Sequence, residues 1–324
     1  MSRIVSLTDT PKVVPFPKVP GSIGSGTYEP GTFGNGTVRS MVSVFSDYSA
    51  LTKPRVTSMV LLSAFAGFYL GSSGVLNLIS LFSTLLATAF VAGGAMALNQ
   101  YIERHIDAKM MRTQNRPLPS GKLEPREAFF FGAIISAVGF IFFLSLVNKT
   151  SLFLAFFTWA SYLFVYTPLK SRTSFSTLVG AVPGALPPMI GWAGASGEVA
   201  FAPFLIFLII FFWQLPHFLA IAWMYRDDYA RAEQPILSVL DREGSFVARQ
   251  MVLNVCALMP VSLLPTIFGL TGKIYFFGTF GLGLSFAGVI IFSAASLDQR
   301  ARLVLRASVI YLAILLAFMI FDKV

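Results

Sequence analysis

Residues 77–121, NLISLFSTLLATAFVAGGAMALNQYIERHIDAKMMRTQNRPLPSG, join a long apolar run to a charged loop. The run 77–101 contains no charged side chain. At a rise of about 1.5 Å per residue, a helix of this length crosses the hydrocarbon core of a bilayer, which is about 30 Å thick. Acids and arginines begin at Glu103, directly after the run. The segment therefore predicts a transmembrane helix that ends at a charged membrane surface.

The composition extends this prediction to the whole chain. Of its 324 residues, 55% are hydrophobic and 12% are charged, 33 are phenylalanine, and the mean hydropathy is +0.73. These values are typical of a polytopic membrane protein and exclude a string of soluble domains. The apolar runs predict an all-α polytopic membrane protein with nine transmembrane helices, at about residues 56–74, 77–101, 128–147, 151–167, 175–196, 199–223, 248–270, 274–297 and 302–321.

The positive charges support this number of helices independently. With a cytoplasmic N-terminus, 21 of the 24 lysines and arginines lie on the cytoplasmic side, and only Lys149, Lys273 and Lys323 lie outside. Because cytoplasmic loops carry most Lys and Arg, we predict a multi-pass protein with its N-terminus inside and its C-terminus outside. The net charge of +9 then belongs to the cytoplasmic face, where it can attract anionic lipid or an anionic substrate without any nucleic acid.

Residues 1–50 differ in kind, because Pro, Gly, Ser and Thr dominate them. We predict a disordered cytoplasmic tail there, followed by one nine-helix membrane domain over residues 51–324. The tail has neither the apolar core of a secretory signal nor the pattern of a transit peptide, which favours a bacterial plasma (inner) membrane, with the mitochondrial inner membrane as the alternative. Cys256 is the only cysteine, so an internal disulfide and a CxxC metal site are excluded.

Oxygen-bearing side chains recur at helical spacing where the run 77–101 ends. Asn99, Glu103 and Asp107 stand at i, i+4 and i+8, which places them on one face of a helix over about 12 Å. Mg²⁺ prefers such hard ligands and commonly shares them with substrate phosphates. The spacing alone is equally compatible with a solvated loop in which the two acids pair with Arg104 or Lys109.

Basic residues follow directly. Arg112, Arg116 and Lys122 come next in the chain, and guanidinium groups match phosphate oxygens in a bidentate manner. Acids for a metal beside bases for a phosphate predict a diphosphate site at the membrane surface.

A second charged cluster, YRDDYARAEQPILSVLD, occupies residues 225–241 on the same predicted face. Adjacent Asp227 and Asp228 diverge by about 100° on a helix, so only one of them is expected to face a shared cavity. Taken by itself, the cluster favours a plain surface ion pair between Asp228 and Arg231 at i, i+3. Two acidic and basic clusters on one side of one bundle favour a binding site.

Three extended motifs in this order resemble the UbiA-type intramembrane prenyltransferases, in particular those that farnesylate haem b. They are NQYIERHIDAKMMRTQNRPLPSG (99–121), YTPLKSRTSFSTLVGAVPGALPPMIGW (166–192) and FFWQLPHFLAIAWMYRDDYARAEQPILSV (211–239). The resemblance covers residues 50–320 and implies nine helices around a central cavity. It also implies transfer of a farnesyl group from farnesyl diphosphate to a vinyl group of haem b, in haem A biosynthesis for a terminal oxidase.

The resemblance also implies roles for individual residues. Asn99, Glu103 and Asp107 would hold one catalytic Mg²⁺ and Asp228 a second, with Asp227 as a further candidate ligand. Two departures from the family pattern touch these ligands, since Glu103 replaces an aspartate and Ala232 stands where the second motif commonly has another aspartate. Arg231 would orient Asp228, and the diphosphate would be bound by Arg112, Arg116, Lys122, Lys170 and Arg172.

His217, near the predicted cytoplasmic end of its helix, is a candidate substrate-binding residue. It would contact haem or the diphosphate, or it is a structural histidine that pairs with a carbonyl freed near Pro216. Haem b is expected as a substrate rather than a permanent cofactor, and haem A synthase as a possible partner.

Two other functions stay open on the sequence. One is a prenyltransferase with an aromatic or quinone-precursor acceptor, and the other is a cation-coupled transporter. Transporters commonly place ionisable residues near the bilayer midplane, whereas the helix interiors here are nearly free of charge.

Overall fold

A computed structural model describes residues 40–324, and over these residues the chain is almost entirely helical. Two helices continue without a break into a wider π turn, α4 into Phe143–Val147 and α5 into Ser161–Tyr166. The helices are α1 (Met41–Leu51), α2 (Pro54–Gly71), α3 (Leu78–Asp107), α4 (Pro125–Phe142), α5 (Lys149–Ala160), α6 (Thr167–Leu169), α7 (Ser176–Ala185), α8 (Pro187–Ser196), α9 (Phe201–Met224), α10 (Arg226–Arg231), α11 (Leu237–Leu240), α12 (Ser245–Ile267), α13 (Lys273–Ala294) and α14 (Leu297–Phe321).

Every predicted span coincides with helix. Within residues 40–324, eight helical segments are long and apolar enough to cross a membrane. The remaining predicted span, 56–74, is α2, an 18-residue helix whose first turn carries the polar Arg55. The predicted span 175–196 is two short helices that meet at Leu186, before Pro187 and Pro188. The protein is thus an all-α polytopic membrane protein.

Small residues let neighbouring helices approach until their backbones touch. A Cβ on Gly67 of α2 would lie 2.0 Å from the carbonyl oxygen of Pro188, and one on Gly191 of α8 would lie 1.8 Å from that of Ala64. Any larger side chain would force α2 and α8 apart. Close approach through glycine is a common way to pack helices in lipid, where van der Waals contact replaces the hydrophobic effect.

The start of the helical bundle lies earlier than the predicted domain boundary. Residues 41–50, which we assigned to the disordered tail, form most of α1, while residues 1–39 of that tail lie outside the described residues. Leu51 is fully buried, and the Nε2 group of Gln100 on α3 donates to the carbonyls of Ala50 and Leu51 at 3.1 and 2.9 Å. The composition of residues 41–50 did not reveal this helix, because tertiary contacts such as those of Gln100 can stabilise a short helix.

The ends of α2 mark the two ends of the bundle. Lys53 precedes α2 and contacts Asn99 near the end of α3. At the far end of α2, Lys323 donates to the carbonyls of Tyr69 and Ser72, at 2.7 and 2.5 Å. The last residues of the chain therefore lie at the opposite end of α2 from the acidic face of α3.

Candidate active site

The last two turns of α3 form the centre of the site. This helix continues to Asp107, six residues beyond the predicted end of the span at 101, and so carries all three predicted ligands as one rigid face. Asn99, Glu103 and Asp107 are only 2%, 4% and 3% exposed. Buried carboxylates need partners, because an unpaired charge in a water-poor environment is costly.

Each of these three side chains has a basic partner. Lys53 Nζ lies 2.9 Å from Asn99 Oδ1, Lys170 Nζ lies 3.1 Å from Glu103 Oε1, and Arg116 Nη1 lies 2.7 Å from Asp107 Oδ2. The structure thus brings together five predicted residues and adds Lys53.

The solvated-loop alternative for these acids is wrong. Arg104 donates to the carbonyl of Tyr101, and Lys109 pairs with Glu233 at 3.4 Å. Glu103 and Asp107 are paired instead with Lys170 and Arg116, which lie outside α3.

Lys53 is the site residue that the sequence reasoning missed. It has a left-handed backbone, with φ of 48°, and directly precedes Pro54 at the start of α2. Burial, followed by the nearby Arg116 guanidinium, lowers the pKa of Lys53 to about 7. Burial also lowers the pKa of Lys170, but the Glu103 carboxylate outweighs this effect and raises it above its ordinary value. The signal in the sequence that could have identified Lys53 is its place directly before Pro54 and Arg55, at the start of a predicted helix.

The π turn before α6 sets the orientation of the Asn99 amide. The Thr167 hydroxyl donates to the Tyr162 carbonyl at 2.8 Å, so its oxygen accepts a hydrogen bond from Asn99 Nδ2 at 3.1 Å. Asn99 Oδ1 is thereby turned towards Lys53. Insertions of this kind into helices are frequent at functional sites.

Asp228 is buried, as predicted for one of the adjacent aspartates, whereas Asp227 is exposed on the surface. The Asp228 carboxylate accepts from the backbone N–H groups of Met111 and Arg112, at 3.1 and 3.2 Å, and from the Arg231 guanidinium. Burial raises the pKa of the Asp228 carboxyl, but these donors, Arg112 first, hold it below its usual range. Arg231 therefore contacts Asp228 as predicted, but the pair is no plain surface ion pair, because Asp228 also fixes the loop after α3.

Three of the predicted diphosphate ligands lie at the surface. The Arg112 guanidinium stacks on the Tyr225 ring, 4.9 Å from its centroid, rather than reaching the face of α3. Lys122 and Arg172 are exposed in loops. The structure brings only Arg116 and Lys170, among the five predicted diphosphate ligands, into contact with the acids of α3.

An apolar cavity of about 480 Å³ extends from Lys53 into the bundle, as predicted for a central cavity. This volume is in the range of sites for small organic ligands. Side chains of α2, α3, α5, α7, α8, α9 and α14 line it, among them Met59, Thr88, Tyr162, Trp213, His217 and Leu312. Lys53 both lines this chamber and contacts Asn99, so the charged face of α3 lies next to one end of the chamber.

His217 lines this chamber and is held through one ring nitrogen. Its Nδ1 lies 2.7 Å from Ser308 Oγ, and this oxygen also lies 2.8 Å from the Leu305 carbonyl oxygen, to which the hydroxyl can donate. Trp213 stacks on the imidazole and donates to the Ser308 carbonyl at 2.7 Å, which holds the ring in place. His217 therefore does not pair with a carbonyl near Pro216.

Comparison with known proteins places this geometry in a family. A model of the UbiA prenyltransferase family matches residues 60–320. The chain belongs to the UbiA prenyltransferase family. It is 44% identical over 288 residues to the protoheme IX farnesyltransferase of Solibacter usitatus, which covers 86% of this chain and 98% of that protein. Identity to the Myxococcus xanthus protein of the same name is 41%, over 90% of this chain and 99% of the relative.

Solved structures agree on the fold. A UbiA homologue from Archaeoglobus fulgidus bound to DMAPP and Mg²⁺ superimposes with a TM-score of 0.67 at 17% identity, covering 84% of this chain and 97% of the other. A structure concerned with digeranylgeranylglyceryl phosphate synthase gives a TM-score of 0.69 at 18% identity, over 86% of this chain and 98% of the other. The chain is therefore a membrane-embedded prenyltransferase of the UbiA fold.

The donor chemistry of α3 suits the divalent metal that this fold binds in the Archaeoglobus structure. Within residues 40–324 there is no group of three or more His, Cys, Asp or Glu side chains that could hold a metal by itself. The α3 face instead offers two carboxylates and one amide oxygen, all buried. Mg²⁺ is commonly bound by one or two carboxylates, and substrate phosphates supply further ligands. The face therefore fits a metal that arrives with a diphosphate.

Proposed function

We propose that this UbiA-family enzyme transfers a farnesyl group from farnesyl diphosphate to a vinyl group of haem b, which yields haem O and diphosphate. The observation that carries the proposal is the charged face of α3 at the end of an apolar cavity that also contains His217. One end suits a diphosphate, and the chamber suits a prenyl chain and a hydrophobic acceptor. The 44% identity to protoheme IX farnesyltransferases favours haem b as that acceptor.

The reaction consumes one water. The bond between farnesyl C1 and oxygen breaks, and its electron pair leaves with the diphosphate. The π electrons of the vinyl group then form the new carbon–carbon bond, which leaves a cation beside the pyrrole. Water adds to that cation and loses a proton, and the product carries a hydroxyethylfarnesyl group. The apolar wall of the cavity delays hydrolysis of the farnesyl cation.

Asn99, Glu103 and Asp107 would hold Mg²⁺ in this reaction. When bound, Mg²⁺ neutralises the charge that builds on the leaving diphosphate. Lys170 and Arg116 stand beside these ligands and supply fixed positive charge for the diphosphate oxygens, in a setting where such charges act strongly.

The outer residues have supporting roles in this proposal. Asp228 would hold a second Mg²⁺ with a free lone pair of its carboxylate, while it stays bonded to the backbone N–H groups of Met111 and Arg112. Arg112, Lys122 and Arg172 attract the incoming diphosphate at the surface, since they are exposed.

His217 is assigned to the acceptor. In the tautomer that donates from Nδ1 to Ser308, the Nε2 lone pair can coordinate the haem iron or accept a hydrogen bond, whereas a doubly protonated imidazole could do neither. Among residues 40–324, the polar contacts of the imidazole are made through Nδ1 with Ser308, which leaves Nε2 for the acceptor.

The membrane placement belongs to the same proposal. We place the chain in a bacterial inner membrane, with the N-terminus and the α3 face in the cytoplasm and the C-terminus outside. The distribution of positive charges and the position of Lys323 at the far end of α2 support this orientation. A mitochondrial inner membrane is the alternative. Haem A synthase would then receive the product.

The test is a product assay. The full chain, purified in detergent, is incubated with haem b, farnesyl diphosphate and Mg²⁺, with an EDTA control, and the haems are separated and weighed by mass spectrometry. We expect a haem heavier by one farnesyl group plus water that forms only with the metal. No such product from folded protein, together with prenylation of an aromatic or quinone precursor, would replace haem b as the acceptor.

A further inference from the structure

All three predicted metal ligands on α3 are in use. Glu103 and Asp107 are paired with the cations Lys170 and Arg116, so their charges are compensated. Asn99 is uncharged and needs no counter-charge, yet its Oδ1 accepts from Lys53 Nζ at 2.9 Å. The contact with Lys53 is therefore the one in this set that charge neutrality does not require.

The orientation of the Asn99 amide is set from both sides. Nδ2 donates to the Thr167 hydroxyl oxygen at 3.1 Å, while Oδ1 accepts from Lys53. A flipped amide would turn its Nδ2 donor towards the Lys53 donor and lose that hydrogen bond. Oδ1 is thus held facing Lys53, and Mg²⁺ must approach the oxygen to which Nζ already presents its N–H groups.

Lys53 is also the basic residue best able to move. Its partner is a neutral amide, whereas Lys170 and Arg116 are ion-paired with the Glu103 and Asp107 carboxylates, so Lys53 lacks the attraction of an opposite charge in its own contact. It carries a flexible four-carbon stem, lies ahead of α2 rather than within a helix, and lines the apolar cavity where the diphosphate end of the substrate would enter.

Resting on the function proposed above, we propose that Lys53 holds Asn99 Oδ1 in the free protein and moves to a diphosphate oxygen when magnesium diphosphate arrives. Lys53 then makes metal binding conditional on the diphosphate. The consequence is an enzyme that leaves free Mg²⁺ largely unbound and accepts metal and diphosphate together. Lys53 contributes to this selectivity in addition to binding the substrate.

The test measures metal binding rather than turnover. Purified full-length protein is titrated with Mn²⁺, a substitute for Mg²⁺, with and without inorganic diphosphate, and protein-bound Mn²⁺ is separated by ultrafiltration from Mn²⁺ that is free or complexed by diphosphate in solution. We compare wild type, Lys53→Met and Lys109→Met. The last is a matched control, because Lys109 lies just beyond α3 but pairs with Glu233.

In the wild type and in Lys109→Met, diphosphate should tighten Mn²⁺ binding at least about tenfold, as expected when two charged ligands share a low-dielectric site. Lys53→Met should bind Mn²⁺ alone about tenfold more tightly than wild type and lose most of the gain from diphosphate. Unchanged binding of Mn²⁺ alone in Lys53→Met would overturn the proposal.

The wild type provides a test that needs no variant. Equal Mn²⁺ affinity with and without diphosphate would refute the conditional site even if Lys53→Met fails to fold. The product assay with haem b keeps the two proposals apart, because conditional metal binding can hold for any prenyl acceptor. Haem O formation with metal binding that is independent of diphosphate would refute only the role of Lys53.

Discussion

The two acidic clusters at this end of the bundle are held in different ways. On α3, Glu103 and Asp107 contact long basic side chains. On α10, Asp228 accepts from backbone N–H groups of the loop after α3 as well as from Arg231. Side-chain partners can rotate away when a substrate enters, whereas backbone partners move only if the loop moves. The α3 face is therefore a site that can exchange ligands, and Asp228 also links α10 to the loop after α3.

The largest expected effect is at the exchangeable face. Asp107→Asn removes a carboxylate that pairs with Arg116 and that we propose as a metal ligand, and turnover should fall by at least about 100-fold, as for loss of one group that stabilises a charged transition state. Haem O formation at saturating substrate measures it. A matched change at exposed Asp227, Asp227→Asn, should leave the rate within about twofold. Full activity in Asp107→Asn would remove Asp107 from the metal site.

Asp228→Asn tests the linking role. Turnover should again fall by about 100-fold, and the Tm should also drop by about 2–4 °C, because a buried carboxylate with three donors loses part of its hydrogen bonding. Thermal unfolding of the purified variant beside Asp227→Asn measures the second effect. Lost activity with an unchanged Tm would mean that Asp228 acts only as a ligand and does not stabilise the loop after α3. The contrast between the α3 face and the α10 cluster would then be weaker.

The helices and the acidic face of α3 could be predicted from the sequence, because both depend on periodicity. The apolar runs predicted where the helices lie, and the four-residue spacing of Asn99, Glu103 and Asp107 predicted a shared face, because both are local properties of one helix. Periodicity likewise predicted that only one of Asp227 and Asp228 faces inwards, whereas the choice of Asp228 came from the family resemblance.

The partners of these acids were only partly accessible. Lys170 was predicted only through the family resemblance, and Lys53 was not predicted. Their contacts join residues 67 and 46 positions apart in the chain, and such contacts depend on how the helices pack. The π turn before Thr167 was also invisible, because an inserted residue in a helix leaves no periodic signal. Arg112 was predicted in the site, yet its loop turns the side chain onto Tyr225.

The acceptor end of the cavity should respond more weakly than the metal ligands. In the proposed tautomer Ser308 accepts from His217 Nδ1. Ser308→Ala removes this acceptor, so a fraction of the imidazole will present an N–H to the cavity instead of a lone pair. We expect kcat/KM for haem b to fall about tenfold, the loss of one oriented interaction, with the KM for farnesyl diphosphate unchanged. Ser308→Thr keeps the hydroxyl and should restore most of the activity. Equal losses for both substrates would show that Ser308 acts only through packing.

The smallest effect is expected where the two clusters meet the surface. Arg112→Ala removes a guanidinium that stacks on Tyr225 and lies outside the α3 face, while the backbone N–H that Asp228 accepts remains. The KM for farnesyl diphosphate should rise about threefold at low salt and less at high salt, because screened surface charges mainly affect encounter. Arg116→Ala, which removes the partner of Asp107, should raise it by at least about tenfold. If the two variants were equivalent, Arg112 would have to leave Tyr225 and bind the diphosphate directly. The loop that Asp228 fixes would then rearrange on substrate binding, and the distinction between a mobile α3 face and a fixed α10 cluster would fail.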